Sequence, residues 1–178
     1  MRKAILMKLF QFTTIFLVCM TGIIPITCFA QPYVISSNGL EVTDQKTGLI
    51  WSRCVIGMNW DGGLNTCVNA TTSCVHANTN IVAIFTHEEA LKCASQVGSV
   101  TPWRLPNIKE LASISERSIS LAFNEVAFPA TPTNFGYWSS TPNVGVSATA
   151  WIMNFDRGQG GVSSRSNSLY VRLVRSGQ

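Results

Sequence analysis

The stretch Trp103-Arg104-Leu105-Pro106-Asn107-Ile108-Lys109-Glu110-Leu111 joins an extended segment to a helix. Pro106 confines Leu105 to extended backbone, so no helix runs through this point. Asn107 stands where an N-cap is needed, and Glu110, three residues on, completes a capping box. Pro106 can pack towards Leu111 across the first turn. These features predict a helix from about Ile108 to Arg117, with Ile108, Leu111, Ala112 and Ser115 along one side. Capping leaves Trp103 and Arg104 unexplained. Arg104 reads either as an anion ligand at a helix start or as a clamp on a carboxylate or carbonyl, and its place beside Trp103 and Pro106 favours the clamp.

Upstream, Thr86 and Glu89 form a second capping box. Ala90, Leu91, Ala94 and Val97 then recur at helical spacing before Gly98 ends the helix. His87 in its first turn is expected to face solvent. Further back, Leu40 to Asp44 alternates apolar and polar, Gln45 to Gly48 is a turn, and Leu49-Ile50-Trp51 begins a second strand, together a β-hairpin. Residues 53–81 dissolve into Gly, Asn, Thr and Cys and predict one long loop. Downstream of Pro129, three aromatic and β-branched segments predict strands: Gly136 to Thr141, Ala148 to Phe155 and Leu169 to Arg175, with a turn at Asp156 to Gly161 between the last two. Arg172 and Arg175 fall on opposite faces of the last one. Hairpin, loop, two helices and then strands is an α+β order.

The first thirty residues read as an export signal. Arg2, Lys3 and Lys8 precede an apolar run from about Ile15 to Ile26, and Cys28-Phe29-Ala30 offers a cleavage site after Ala30. The run is interrupted by Gly22 and Pro25 and is shorter than the roughly 20 apolar residues a membrane span needs. The expected organisation is a signal peptide at 1–30, a short leader at 31–38 and one domain at 39–178, with no membrane span after processing. Without the signal the chain holds ten basic against nine acidic residues, so its charge gives no reason to expect nucleic-acid binding. Export also explains the cysteines. Cys54, Cys67, Cys74 and Cys93 remain, an even number that reads as two disulfides with three connectivities. Cys54–Cys67 and Cys74–Cys93 are favoured because each closes a short loop in the least regular region, for about 3 kcal/mol apiece. A metal site from Cys74, His76, His87 and Cys93 lacks a standard zinc spacing, so no metal and no cofactor is expected.

Four separated motifs carry a family resemblance: Asp44-x-x-Thr47-Gly48-Leu49-Ile50-Trp51, the Trp103 to Leu111 stretch, Tyr137-Trp138-Ser139-Ser140-Thr141, and Val171-Arg172-Leu173-Val174-Arg175. In that order the chain resembles the Lcl C-terminal-domain family from about Gly39 to Arg175. Arg53-Cys54, Trp60 and Cys67 look like that family's cysteine-bearing loop, which adds weight to a Cys54–Cys67 pair. The resemblance implies an exported domain of C-type-lectin-like fold, a mixed but mainly antiparallel sheet with two helices and a disulfide-stapled loop. It further implies adhesin-like binding of a glycosaminoglycan-like polysaccharide or a surface protein, in the periplasm or at the cell surface, and admits a homo-oligomer. The chain has no collagen-like Gly-X-Y repeat of the kind that builds a trimeric stalk.

The residues themselves give catalysis little to stand on. There is no Gly-x-Ser-x-Gly elbow, His-Glu-x-x-His pair or Gly-rich phosphate loop, and the sequence reads as no enzyme. Trp51, Trp103, Trp138 and Trp151 are expected in the core. The ligand-binding candidates are Trp60 in the irregular loop, Arg157 and Arg165 on turn and loop, and Arg104 as the alternative to its clamp role. The expected function is an exported non-enzymatic binding module for a polysaccharide or protein partner, the alternative being a structural or accessory subunit of a surface or envelope assembly.

Overall fold

Asp44 makes the first turn. Its carboxylate accepts from the Lys46 amide at 2.9 Å and the Thr47 hydroxyl at 2.7 Å, and Gly48 supplies the left-handed backbone that closes the turn. The hairpin strands are β2 (Glu41–Asp44) and β3 (Leu49–Ser52). The computed structural model describes residues 32–70, 84–97, 102–115 and 123–177. Within these, β1 (Tyr33–Ile35) pairs antiparallel with β2, so the expected leader contributes a strand. The late strand β9 (Val174–Ser176) pairs with β3 and completes a sheet of order β1-β2-β3-β9.

The expected long loop contains a hairpin, β4 (Met58–Asp61) with β5 (Thr66–Asn69). Asp61 Oδ1 accepts from the amides of Gly63 and Leu64, and Asn65 adopts a positive φ of 53°, so polar residues that read as part of a long loop instead form a tight turn. The third sheet is β6 (Tyr137–Pro142), β7 (Thr149–Asn154) and β8 (Gln159–Ser164). β8 occupies part of the expected turn, because its pairing with β7 overrides the weak strand preference of Gly160 and Gly161. The named strand pairs are antiparallel, and with two helices among the described residues the fold is α+β.

Both expected helix starts form. α1 (His87–Gln96) carries the Thr86–Glu89 box, and α2 (Ile108–Ser113) the Asn107–Glu110 box. α2 is shorter than expected, since Ile114 leaves helical geometry. Its start is fixed to β6: Ser140 donates its amide to the Pro106 carbonyl, and Ile108 its amide to the Thr141 hydroxyl. On α1 the buried residues are His87, Ala90, Cys93 and Ala94, whereas Leu91 is exposed. Gly98, the expected stop, lies outside the described residues, as does Arg117.

Leu169 to Arg175 does not form the single expected strand. Only its end is regular, because its backbone pairs with five separate segments in succession. Leu169 exchanges hydrogen bonds with Phe85, Tyr170 bonds Gly136 and Trp138, Val171 accepts from Ile56, Leu173 accepts from Ser52, and Val174 exchanges with Arg104. Side chains alternate all the same. Leu169, Val171 and Leu173 enter one core with Trp138, Phe85 and Ala90. Tyr170 and Val174 enter the other, with Trp51, Phe128, Tyr137 and Phe155. Adjacent Tyr137 and Trp138 divide in the same way, as strand neighbours must.

Arg172 falls on the Phe128 side and is buried. Its guanidinium donates to the carbonyls of Ser52 and Arg53 at 2.8 and 2.6 Å and to the Thr131 hydroxyl at 2.7 Å, and lies 4.8 Å from the Phe128 ring centroid. Burial pushes its pKa down to about 10, still charged at neutral pH. Replacing Arg172 with Met strands these acceptors, and should cost about 3 kcal/mol in urea unfolding. Lys, a point donor without the planar fork, should restore little of this. A Met variant as stable as the parent would contradict the clamp.

Candidate functional site

The β4–β5 hairpin is held to the body by a disulfide and an arginine. Cys54 and Cys67 are bonded, with Cα atoms 5.7 Å apart, as expected. Cys93 is also disulfide-bonded; its expected partner Cys74 lies outside the described residues, as does His76. Trp60 stands opposite Cys67 in the hairpin register. Beneath its ring sits Arg53, with the guanidinium carbon 3.9 Å from the centroid. Arg53 is buried and donates Nε to the Ala127 carbonyl, Nη1 to Gly39 and Nη2 to Val126. Burial lowers its pKa, and three carbonyls take the place of water around the charge. Gly39 has φ +73°, and a Cβ there would run into the Trp60 indole nitrogen. The ring is thus fixed in place by its neighbours while remaining half-buried.

A depression opens on each side of Trp60. One, of about 350 Å³, runs from Trp60 to Trp103 past Glu41, Ser52 and Asn59. The other, of about 670 Å³, is bounded by Trp60, Ser37, Asn38, Asn65 and Glu125. Trp103 is positioned by its neighbour, since the Arg104 backbone pairs with Val174. The Arg175 guanidinium carbon lies 5.4 Å from the Trp103 ring centroid, and Arg175 Nη2 is 2.7 Å from Glu41 Oε2.

The four expected ligand residues do not share a depression. Trp60 lines the two just described. Arg104 is the clamp: Nη1 and Nη2 meet Glu110 Oε2 and Oε1 at 2.7 and 2.6 Å, locking the carboxylate that completes the α2 capping box. Arg157 is exposed on the β7–β8 turn, 3.4 Å from Asp156, and lines neither depression. Arg165 lies against α1, donating Nε to the Thr149 carbonyl and Nη1 to His87 Nδ1.

The tryptophans expected in the core also divide. Trp51 and Trp138 are fully buried and Trp103 is half-buried, but Trp151 is 38 % exposed opposite Val162 on β7 and β8. Sequence reasoning missed Trp103, Asn59 and Glu41 as groove residues. Strand alternation placed Glu41 opposite in facing to Val42, but nothing local signalled that Trp103 would meet Trp60.

His87 corrects the expectation of a solvated side chain. It is 3 % exposed, edge-on to Trp138 at 5.0 Å. Arg165 can only donate, so Nδ1 accepts, and Nε2 carries the proton that it gives to the Ser139 carbonyl at 3.0 Å. Ring burial lowers the His87 pKa, the Ser139 bond raises it in part, and the Arg165 charge lowers it further.

The family model described as the Lcl C-terminal domain matches residues 40–175. The chain belongs to the Lcl C-terminal domain family. No curated protein matches it significantly. The Lcl C-terminal domain match begins at Leu40 and takes in both walls of the Trp60–Trp103 depression, while β1 precedes it.

A depressed His87 pKa means that the unfolded chain binds the proton more tightly, so stability rises with pH through the window below the ordinary histidine value of about 6.5. Thermal unfolding should show stability fully present above that value and falling as pH drops below it. His87→Asn should flatten this slope whatever it does to stability at higher pH; an unchanged slope would exclude His87 as its source.

Proposed function

We propose that this chain is an exported, non-enzymatic binding module that recognises a polysaccharide or surface-protein partner through the Trp60–Trp103 depression, on a scaffold of C-type-lectin-like type. The observation that carries this reading is the pairing of two half-exposed tryptophans in one depression with an exposed amide, a hydroxyl and a carboxylate between them. Apolar faces combined with a few placed polar groups are what a sugar or a partner's side chains require. Pre-positioning of Trp60 on Arg53 lowers the entropy lost on binding.

Export is supported by the basic and apolar pattern of the first thirty residues and by the Cys54–Cys67 bond, which suits an oxidising compartment. No helix among the described residues is long and apolar enough to cross a membrane. Binding rather than turnover is supported by His87, whose two ring nitrogens are both engaged inside the fold. A second reading, an accessory subunit of an envelope assembly, draws support from the exposed Trp151–Val162 pair.

Trp103→Ala should weaken retention on a glycan array or on intact cell surfaces by about tenfold, equivalent to about 1.4 kcal/mol, whereas Trp151→Ala should leave it unchanged. Retention lost only with Trp151→Ala would transfer the function to the accessory reading. No retention of the parent protein on either surface would sink the binding module.

A further inference from the structure

The wall chemistry beside Trp60 narrows the ligand, and this narrowing rests on the binding reading above. The two cations that lie over these tryptophans, Arg53 and Arg175, are already engaged. Arg53 gives Nε, Nη1 and Nη2 to three backbone carbonyls and one face to Trp60. Arg175, over Trp103, is paired with Glu41. The remaining polar walls are uncharged or acidic. Ser52, Asn59 and Glu41 lie on one side of Trp60, and Asn65 and Glu125 on the other.

An approaching sulfate or carboxylate would therefore find no unengaged cation: it would have to displace Glu41 to reach Arg175 on one side, and on the other would meet Glu125 beside an Arg53 already given to carbonyls. A sugar without charge meets no such barrier. Its C–H faces can lie on the indoles while its hydroxyls reach amide and hydroxyl groups. The volumes of about 350 and 670 Å³ fall within the range of small-ligand sites.

We propose that the depressions beside Trp60 take a segment of uncharged polysaccharide, a hexose chain without sulfate, phosphate or uronic acid. Glu41 is its specificity residue: by holding Arg175 it turns away anionic glycans.

Calorimetry of the purified protein at low and high salt tests this, using neutral hexamers of β-linked glucose and of N-acetylglucosamine against a heparin-derived hexasaccharide. At least one neutral hexamer should bind with an affinity that salt does not change, and heparin should not bind. Asn59→Ala, at an exposed position, should weaken the neutral hexamer severalfold. Glu41→Gln, which releases Arg175, should raise heparin affinity by about tenfold. Circular dichroism of each variant verifies the fold. Salt-sensitive heparin binding with no neutral binding would overturn the proposal while leaving the binding module standing. Binding of none of the three also overturns it, and the broader module falls only if array and cell-surface retention fail as well.

Discussion

The structure depends on the segment from Leu169 to Arg175, whose backbone is shared among five partners and whose side chains alternate between two cores. A strand in one sheet meets at most two neighbours. This segment instead passes from Phe85 to β6, then to the stretch after β3, and finally to Arg104 and β3. Its period-two alternation sends Leu169, Val171 and Leu173 to the α1 side and Tyr170, Arg172 and Val174 to the Trp51 side. Arg172 is the costly member. A buried guanidinium is tolerated because two carbonyls and a hydroxyl replace its water, the carbonyls lying where β3 ends.

The groove follows from this arrangement. Val171 and Leu173 anchor the backbone at Ile56 and Ser52, which flank Arg53 and Cys54. Arg53 then reaches the carbonyls of Gly39, Val126 and Ala127 and supports Trp60, while the disulfide brings β5 alongside. Trp103 arrives from the other direction, carried by the Arg104–Val174 pairing. Two buried arginines thus act by the same means, carbonyl acceptors in place of a carboxylate, one for the core and one for the groove.

Local signals in the sequence were legible where local chemistry decides. The Thr86 and Asn107 capping boxes, the Asp44–Gly48 turn and the cores of β6 and β7 all form close to their expected places. Non-local pairing was not legible. β8 is a weak strand by composition, β1 is only three residues long between Pro32 and a turn, both exist through their partners, and the β4–β5 hairpin is hidden among turn-forming residues. Burial failed as a guess where identity misleads: His87 is polar but enclosed by Trp138, Ser139 and Arg165, whereas Trp151 is aromatic but faces outward. For the site, Trp60 was visible as an aromatic in an irregular loop. Arg104 was visible as a clamp. That Arg157 and Arg165 sit away from Trp60 depends on three-dimensional placement that spacing does not carry.

Native-state hydrogen exchange tests the shared segment most directly. The amides of Ser52, Ile56, Phe85, Arg104, Trp138, Leu169, Tyr170 and Val174 all bond to or from it, although they come from distant parts of the chain. If the segment unites the two cores, these amides exchange only through global unfolding, with one common free energy and one common dependence on denaturant. Two groups of amides with separate opening free energies, divided between the α1 core and the Trp51 core, would contradict it.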